Sequence, residues 1–155
     1  MTPPNETTPA AGGYADGVKV ALVTADPIDL DLLRAAVTDA AMGAVVTFEG
    51  VVRNHDDDRG VTWLSYSGHP LAGEALRAAA DTVCRDFPDV VVAVAHRVGR
   101  LDIGGLALGC AVASAHRSSA FLACSALVDR VKETVPIWKE QGFDDGATEW
   151  VHSIG

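Results

Sequence analysis

The chain has 155 residues, 48% of them hydrophobic and 21% charged, which suits one domain with a substantial core. A formal charge of −9 argues against a nucleic-acid surface, which needs a basic stripe, and requires any anionic ligand to be held by a local cationic pocket. Three widely spaced cysteines, Cys84, Cys110 and Cys124, with no C-x-x-C pair, point to buried free thiols in a reducing cytosol rather than to a disulfide framework or a zinc site.

Residues 1–17 are rich in Pro, Thr, Ala and Gly without periodicity and read as a flexible tail; residues 18–155 form the domain. The first residues lack the basic start and apolar block of a secretory signal, and no apolar run reaches membrane-span length, so a cytoplasmic location is expected. Residues 18–24 predict a strand, and 29–41 a helix burying Ile28, Leu32, Leu33 and Val37. Residues 43–53 are β-rich, 54–60 form a polar loop, and 61–66 return as a strand. A second helix over 70–87 has Leu71, Ala75, Ala78, Ala79, Thr82 and Val83 at helical spacing, with Pro88 beyond its end. Apolar strands over 90–98 and 106–114 flank a Gly-rich turn containing Asp102, Gly104 and Gly105. A third helix, 118–134, carries a stripe of Phe121, Cys124, Val128 and Val131, and Trp138 and Trp150 anchor an extended tail. Strands and helices mix without strict βαβ alternation, so the fold class is α+β.

Two of the three lysines, Lys132 and Lys139, lie seven residues apart in Val131-Lys132-Glu133-Thr134-Val135-Pro136-Ile137-Trp138-Lys139-Glu140, while nine arginines supply the other cations. Arginine stays protonated, whereas a lysine in an apolar or cationic pocket can release its proton and serve as acid, base or nucleophile. Pro136 disfavours helix at Val135, which puts Lys132 on a last helical turn and Lys139 on an extended segment. The ordinary alternative is a solvated helix end, where cations suit the dipole.

Further polar groups exceed what a fold requires. Arg53 ends a strand before Asn54-His55, although such an arginine is commonly a surface cation. In Ser114-Ala115-His116-Arg117-Ser118-Ser119-Ala120-Phe121, Ser118 could cap the third helix, and His116 and Arg117 would complete an anion cradle at its N-terminus. The run Asp56-Asp57-Asp58 suggests a metal site, but consecutive aspartates cannot all point inward, and it reads as a solvated loop. His69 and His96 read as structural or surface residues, and no dinucleotide-binding, P-loop or nucleophile-elbow motif occurs.

Four segments taken in order resemble the large, catalytic subunit of molybdopterin synthase: G-A-V-V-T-F-E-G-V-V-R-N-H at 43–55, H-R-V-G at 96–99, S-A-H-R-S-S-A-F at 114–121 and V-K-E-T-V-P-I-W-K-E at 131–140. The resemblance spans roughly 18–151 and implies an α/β-hammerhead-type fold in a homodimer. A small ubiquitin-like subunit would bind each end, giving a heterotetramer, and insert a Gly-Gly tail whose thiocarboxylate donates sulfur. The acceptor would be cyclic pyranopterin monophosphate (precursor Z), and two transfers would yield the dithiolene of molybdopterin, with no metal or cofactor required. By motif match Lys132 and Lys139 take catalytic positions, and Arg53, His116 and Arg117 take substrate-pocket positions, the last two reaching across the dimer. Val51, Val52, Glu140 and Gln141 flank them, and Phe48 and Val128 would line the pocket. Val51 stands where some members carry lysine, and Val128 where the pocket has methionine. The alternative is a non-catalytic dimeric module that binds a ubiquitin-like partner or an anionic metabolite.

Overall fold

A computed structural model describes residues 17–152. In chain order these form β1 (Val18–Thr24), α1 (Leu30–Val37), β2 (Ala44–Val51), β3 (His55–Asp56), β4 (Arg59–Gly68) and α2 (Ala72–Asp86). There follow β5 (Val90–Arg97), β6 (Gly99–Asp102), β7 (Leu106–Ser114), α3 (Arg117–Thr134), β8 (Ile137–Phe143) and β9 (Thr148–His152). The tail expected over residues 1–17 lies almost wholly outside the described residues.

The strands make two sheets. The first has the order β1-β5-β7-β2, with β1 parallel to β5 and the other pairs antiparallel. Its central strands are apolar on both faces because both are covered. On one face α1 places Leu33 and Val37 over Ala93, Ala95, Ala111 and Ala113. On the other, α2 and α3 bury Leu76, Val83 and Leu127 with Val92, Val94, Cys110 and Val112. The second sheet runs β9-β8-β4-β3, with β6 also paired to β4. The α+β class with three helices and mostly antiparallel pairing is therefore observed.

The helices depart from expectation in phase and length. α1 begins as read, with the Asp29 carboxylate accepting from Asp31 and Leu32 N–H, but it ends at Val37 instead of residue 41. The Asp39 side chain accepts from Ala41 N–H and builds a local turn that competes with the helix. Leu32 is consequently not core; it faces outward at 67% exposure. In α2 the buried row is Ala72, Leu76, Ala79, Ala80, Val83 and Cys84, offset from the predicted one. Leu71 precedes the helix, its N–H tied to His69 Nδ1 at 3.0 Å, and its side chain is exposed. In α3 apolar residues run almost continuously from Ala120 to Val128, so two stripes fit the sequence. The structure selects Ala120, Ala123, Cys124, Leu127 and Val131 and leaves Phe121 exposed.

Two segments read as loops are strands. The polar segment 54–60 is a hairpin in which His55 pairs with Gly60 and Asp56 with Arg59. Asp57 and Asp58 turn it with φ of 48° and 64°, a left-handed pair that aspartate tolerates better than most residues. Within the Gly-rich connection, β6 pairs Gly99–Asp102 with Trp63–Tyr66 of β4. The chain thus leaves the first sheet after β5, adds a short strand to the second, and returns to the first as β7. Gly99 permits the departure, with φ of 93°.

All three cysteines are free and buried. Burial pushes the Cys84 thiol up to about 11 and moves Cys110 and Cys124 in the same direction, which makes all three poor nucleophiles. Among the described residues no helix is long and apolar enough to cross a membrane.

Candidate active site

A cavity of about 190 Å³ opens where the two sheets meet the C-terminal end of α3. Its apolar floor comes from Phe48 of β2, Ala107 and Leu108 of β7, and Val131 and Val135 at the end of α3. Leu64 and Tyr66 of β4 form a wall, and Arg53, Lys132 and Lys139 bring cations to the same space. α3 ends at Thr134, Val135 is extended, and β8 starts at Ile137, so the Pro136 break reverses the chain as the sequence requires. The reversal brings two lysines seven residues apart into one cavity from different elements.

Lys139 is half-buried. Burial pushes its ammonium below the ordinary lysine value; Lys132 and Arg53 push the same way, while Asp56 and Glu149 oppose them. This is the environment that makes a lysine able to exchange a proton. His96, 5% exposed, also faces the cavity. Its Nδ1 lies 2.7 Å from the Arg97 carbonyl oxygen and donates to it, leaving Nε2 as an acceptor. Its ring meets Tyr66 edge-on at 5.3 Å. Burial foremost, and then Lys132, depress its proton affinity, whereas its bond to the Arg97 carbonyl works against them. Burial likewise raises the Tyr66 phenol.

Of the residues singled out from the sequence, Phe48, Val51, Val52, Arg53, Lys132, Lys139 and Gln141 line this cavity. Glu140 does not, because side chains alternate along β8 and it points away from the face that carries Lys139 and Gln141. Val128 lies one turn before Lys132 and packs against the core instead. His116 and Arg117 start α3, fifteen residues before Lys132, which is about 22 Å at 1.5 Å per residue. They are no part of their own chain's cavity.

The start of α3 also differs in detail from the predicted cradle. His116 is the N-cap residue and makes no side-chain cap; Ser118 lies inside the helix. Asp89 sits there instead, accepting from Ser114 Oγ at 3.2 Å. A hydrogen bond from Ser119 is the main cause that holds its carboxyl below the usual range, helped by Ser114 and His116. The chain thus already presents a carboxylate at this helix N-terminus.

Sequence reasoning missed His55, Tyr66 and His96 as cavity residues, and Asp56 beside them. For Asp56 the signal is positional. As the last residue of β3 it is held by strand pairing, whereas Asp57 and Asp58 form the turn. No group of three or more His, Cys, Asp or Glu placed to hold a metal occurs among the described residues.

Comparison with known proteins shows the family to which the chain and its fold belong. The family model described as MoaE protein matches residues 23–134. The molybdopterin synthase catalytic subunit of Nostoc sp. is 38% identical over 135 residues, covering 86% of this chain and 81% of that protein. The one from Staphylococcus carnosus is 35% identical over 83% of this chain and 86% of its own length. The crystal structure of molybdopterin synthase from Staphylococcus aureus superposes with a TM-score of 0.79 at 32% identity, over 83% of this chain and 94% of that one. The MoaE protein of Burkholderia ambifaria gives 0.72 at 30% identity, over 88% and 90%. A Helicobacter pylori complex of subunits 1 and 2 of molybdopterin-converting factor shares the fold, with a TM-score of 0.62 at 22% identity over 88% of this chain and 89% of that one.

The match to catalytic subunits of molybdopterin synthase, in sequence and in fold, makes this α+β domain an enzyme of molybdopterin synthesis. The chain belongs to the MoaE protein family.

Proposed function

We propose that the chain is a sulfurtransferase that converts cyclic pyranopterin monophosphate (precursor Z) to molybdopterin. The sulfur comes from the C-terminal thiocarboxylate of a small ubiquitin-like subunit, whose tail enters the cavity. The observation that carries this reading is the convergence of Lys132, Lys139 and Arg53 on one partly apolar cavity in a chain of net charge −9. Transfer of sulfur to a phosphorylated pterin builds negative charge on oxygen and needs a proton for the departing oxygen. Fixed cations stabilise the first, and a lysine whose ammonium is weakened by burial delivers the second. Lys132 and Lys139 are the catalytic pair, and Arg53, Val51, Val52 and Gln141 bind the substrate or the donor tail. The reaction calls on no metal or organic cofactor, and its setting is the cytoplasm.

His116 and Arg117 enter this scheme from a second copy of the chain. One small substrate cannot touch both ends of an 18-residue helix, whereas antiparallel copies bring opposite ends together. The working assembly is a homodimer with a small subunit at each end. That a Helicobacter pylori relative of the same fold is described as a two-subunit complex supports a partner of this kind. Purified chain, thiocarboxylated small subunit and precursor Z should together produce molybdopterin, detected as its fluorescent oxidation product. Failure with a competent small subunit would favour a non-catalytic dimer that binds the ubiquitin-like partner or an anionic metabolite.

A further inference from the structure

Two polar groups at the cavity rim, Gln141 and Arg53, meet at the Asp56 carboxylate of the hairpin. Gln141, 3% exposed, donates from Nε2 to Asp56 Oδ2 at 2.9 Å and to Glu149 Oε1 at 3.3 Å. Arg53 Nη2 lies 3.6 Å from the other oxygen of Asp56, Oδ1. Lys139 stands two residues before Gln141 on the same face of β8, so the carboxylate that holds Gln141 lies on the side of the strand from which the ammonium projects. Asp56 itself is fixed by its pairing with Arg59 and by the tight turn that follows.

We propose that Asp56 is a positioning residue of the cavity: its carboxylate anchors Gln141 and Arg53 and supplies the counter-charge for Lys139. Every charged group around that ammonium belongs to a different segment. Asp56 comes from β3, Glu149 from β9, Lys132 from α3 and Arg53 from the β2–β3 connection. The two aspects of the pairing agree in sign. Asp56 raises the proton affinity of Lys139 against the effects of burial, Lys132 and Arg53. In return, the Gln141 hydrogen bond first, and then Lys139, Arg53 and Arg59, hold the Asp56 carboxyl below its ordinary value against partial burial. Asp56 thus opposes the weakening of the Lys139 ammonium that burial and the neighbouring cations cause. Its effect on turnover rests on the reaction proposed above; the electrostatic coupling does not.

Because the chain has only three lysines, [ε-13C]lysine labelling gives three resolvable titrations, assigned by a Lys139→Arg spectrum. Asp56→Asn keeps an acceptor for Gln141 and removes the charge; Asp56→Glu keeps the charge. The Lys139 midpoint should move to lower pH in Asp56→Asn and lie higher in Asp56→Glu than in Asp56→Asn, with Lys19 unmoved in both. In turnover the pH–rate profile of Asp56→Asn should move the same way. A folded Asp56→Asn protein with an unchanged Lys139 midpoint overturns the proposal, whatever its activity. Should Asp56→Asn fail to fold, the reciprocal titration decides. In Lys139→Gln the Asp56 carboxyl must titrate at higher pH than in the wild type, and an unmoved midpoint overturns the coupling. Both readouts stand even if the chain proves inactive on precursor Z.

Discussion

Lys132 and Lys139 were legible because lysine is rare in this chain and the Pro136 break separates them into different elements. An electrostatic role would survive replacement by arginine, and an acid–base role would not. If the proposed sulfur transfer holds, Lys139→Arg should therefore lose turnover by about 10²–10⁴-fold, while its circular dichroism matches the wild type. Near-normal turnover would remove the proton-transfer role proposed for Lys139. His96 was not legible, because nothing in a strand sequence says which of its faces meets a cavity. Its burial has a consequence for stability. With a folded proton affinity below the ordinary value of 6.5, the unfolded chain takes up the proton first as pH falls. Stability from this group is complete above about pH 6.5 and is lost as pH falls toward the lower folded value. Urea denaturation between pH 7.5 and 5.5 should show the loss, and His96→Gln should flatten it; an equal slope in both proteins would refute the assignment.

Among the elements, strands with strong alternation and helices with clear borders could be read, and helix phase could not. α3 shows why: apolar residues surround most of it, so its buried row is chosen by the sheet and α2, through Leu127 and Ala123 rather than Phe121. Leu127→Ala should destabilise the chain by about 2–5 kcal/mol, since the side chain is fully buried and the surrounding layers relax only in part. Chemical denaturation measures it; a loss below about 1 kcal/mol would mean that Leu127 is not a core anchor. The hairpin at Asp57-Asp58 and the strand at Gly99–Asp102 were hidden for another reason. The partner of Gly99–Asp102 is distant β4, and in both segments glycines and aspartates are the residues that usually mark loops.

For the whole molecule, the α+β class could be read from the sequence, but the division into two sheets could not, because β6 is only four residues long and its partner lies far back in the sequence. The separation of His116 and Arg117 from the cavity follows directly from the length of α3. If a second copy completes the site, mixing Arg117→Ala with Lys132→Ala chains should restore activity. Each mixed dimer would hold one intact site and one doubly altered one, and so recover about half of the wild-type rate per dimer. Mass spectrometry must confirm subunit exchange; activity no higher than that of the separate mutants would then exclude the shared site.

The excursion of the chain from β5 through β6 to β7 also fixes the order in which a growing polypeptide acquires its parts. Phe48, Ala107, Leu108 and the Tyr66 wall are in place once β7 has been synthesised, yet Val131, Lys132, Val135 and Lys139 arrive only with the end of α3 and with β8. Until then the nascent chain holds a hollow without its two lysines, and β4 lacks its β8 neighbour, an unpaired edge of the sort that chaperones and stray strands recognise. Closure of the second sheet and completion of the cationic cavity are one event, so a chain stalled before β8 is both incompetent and exposed.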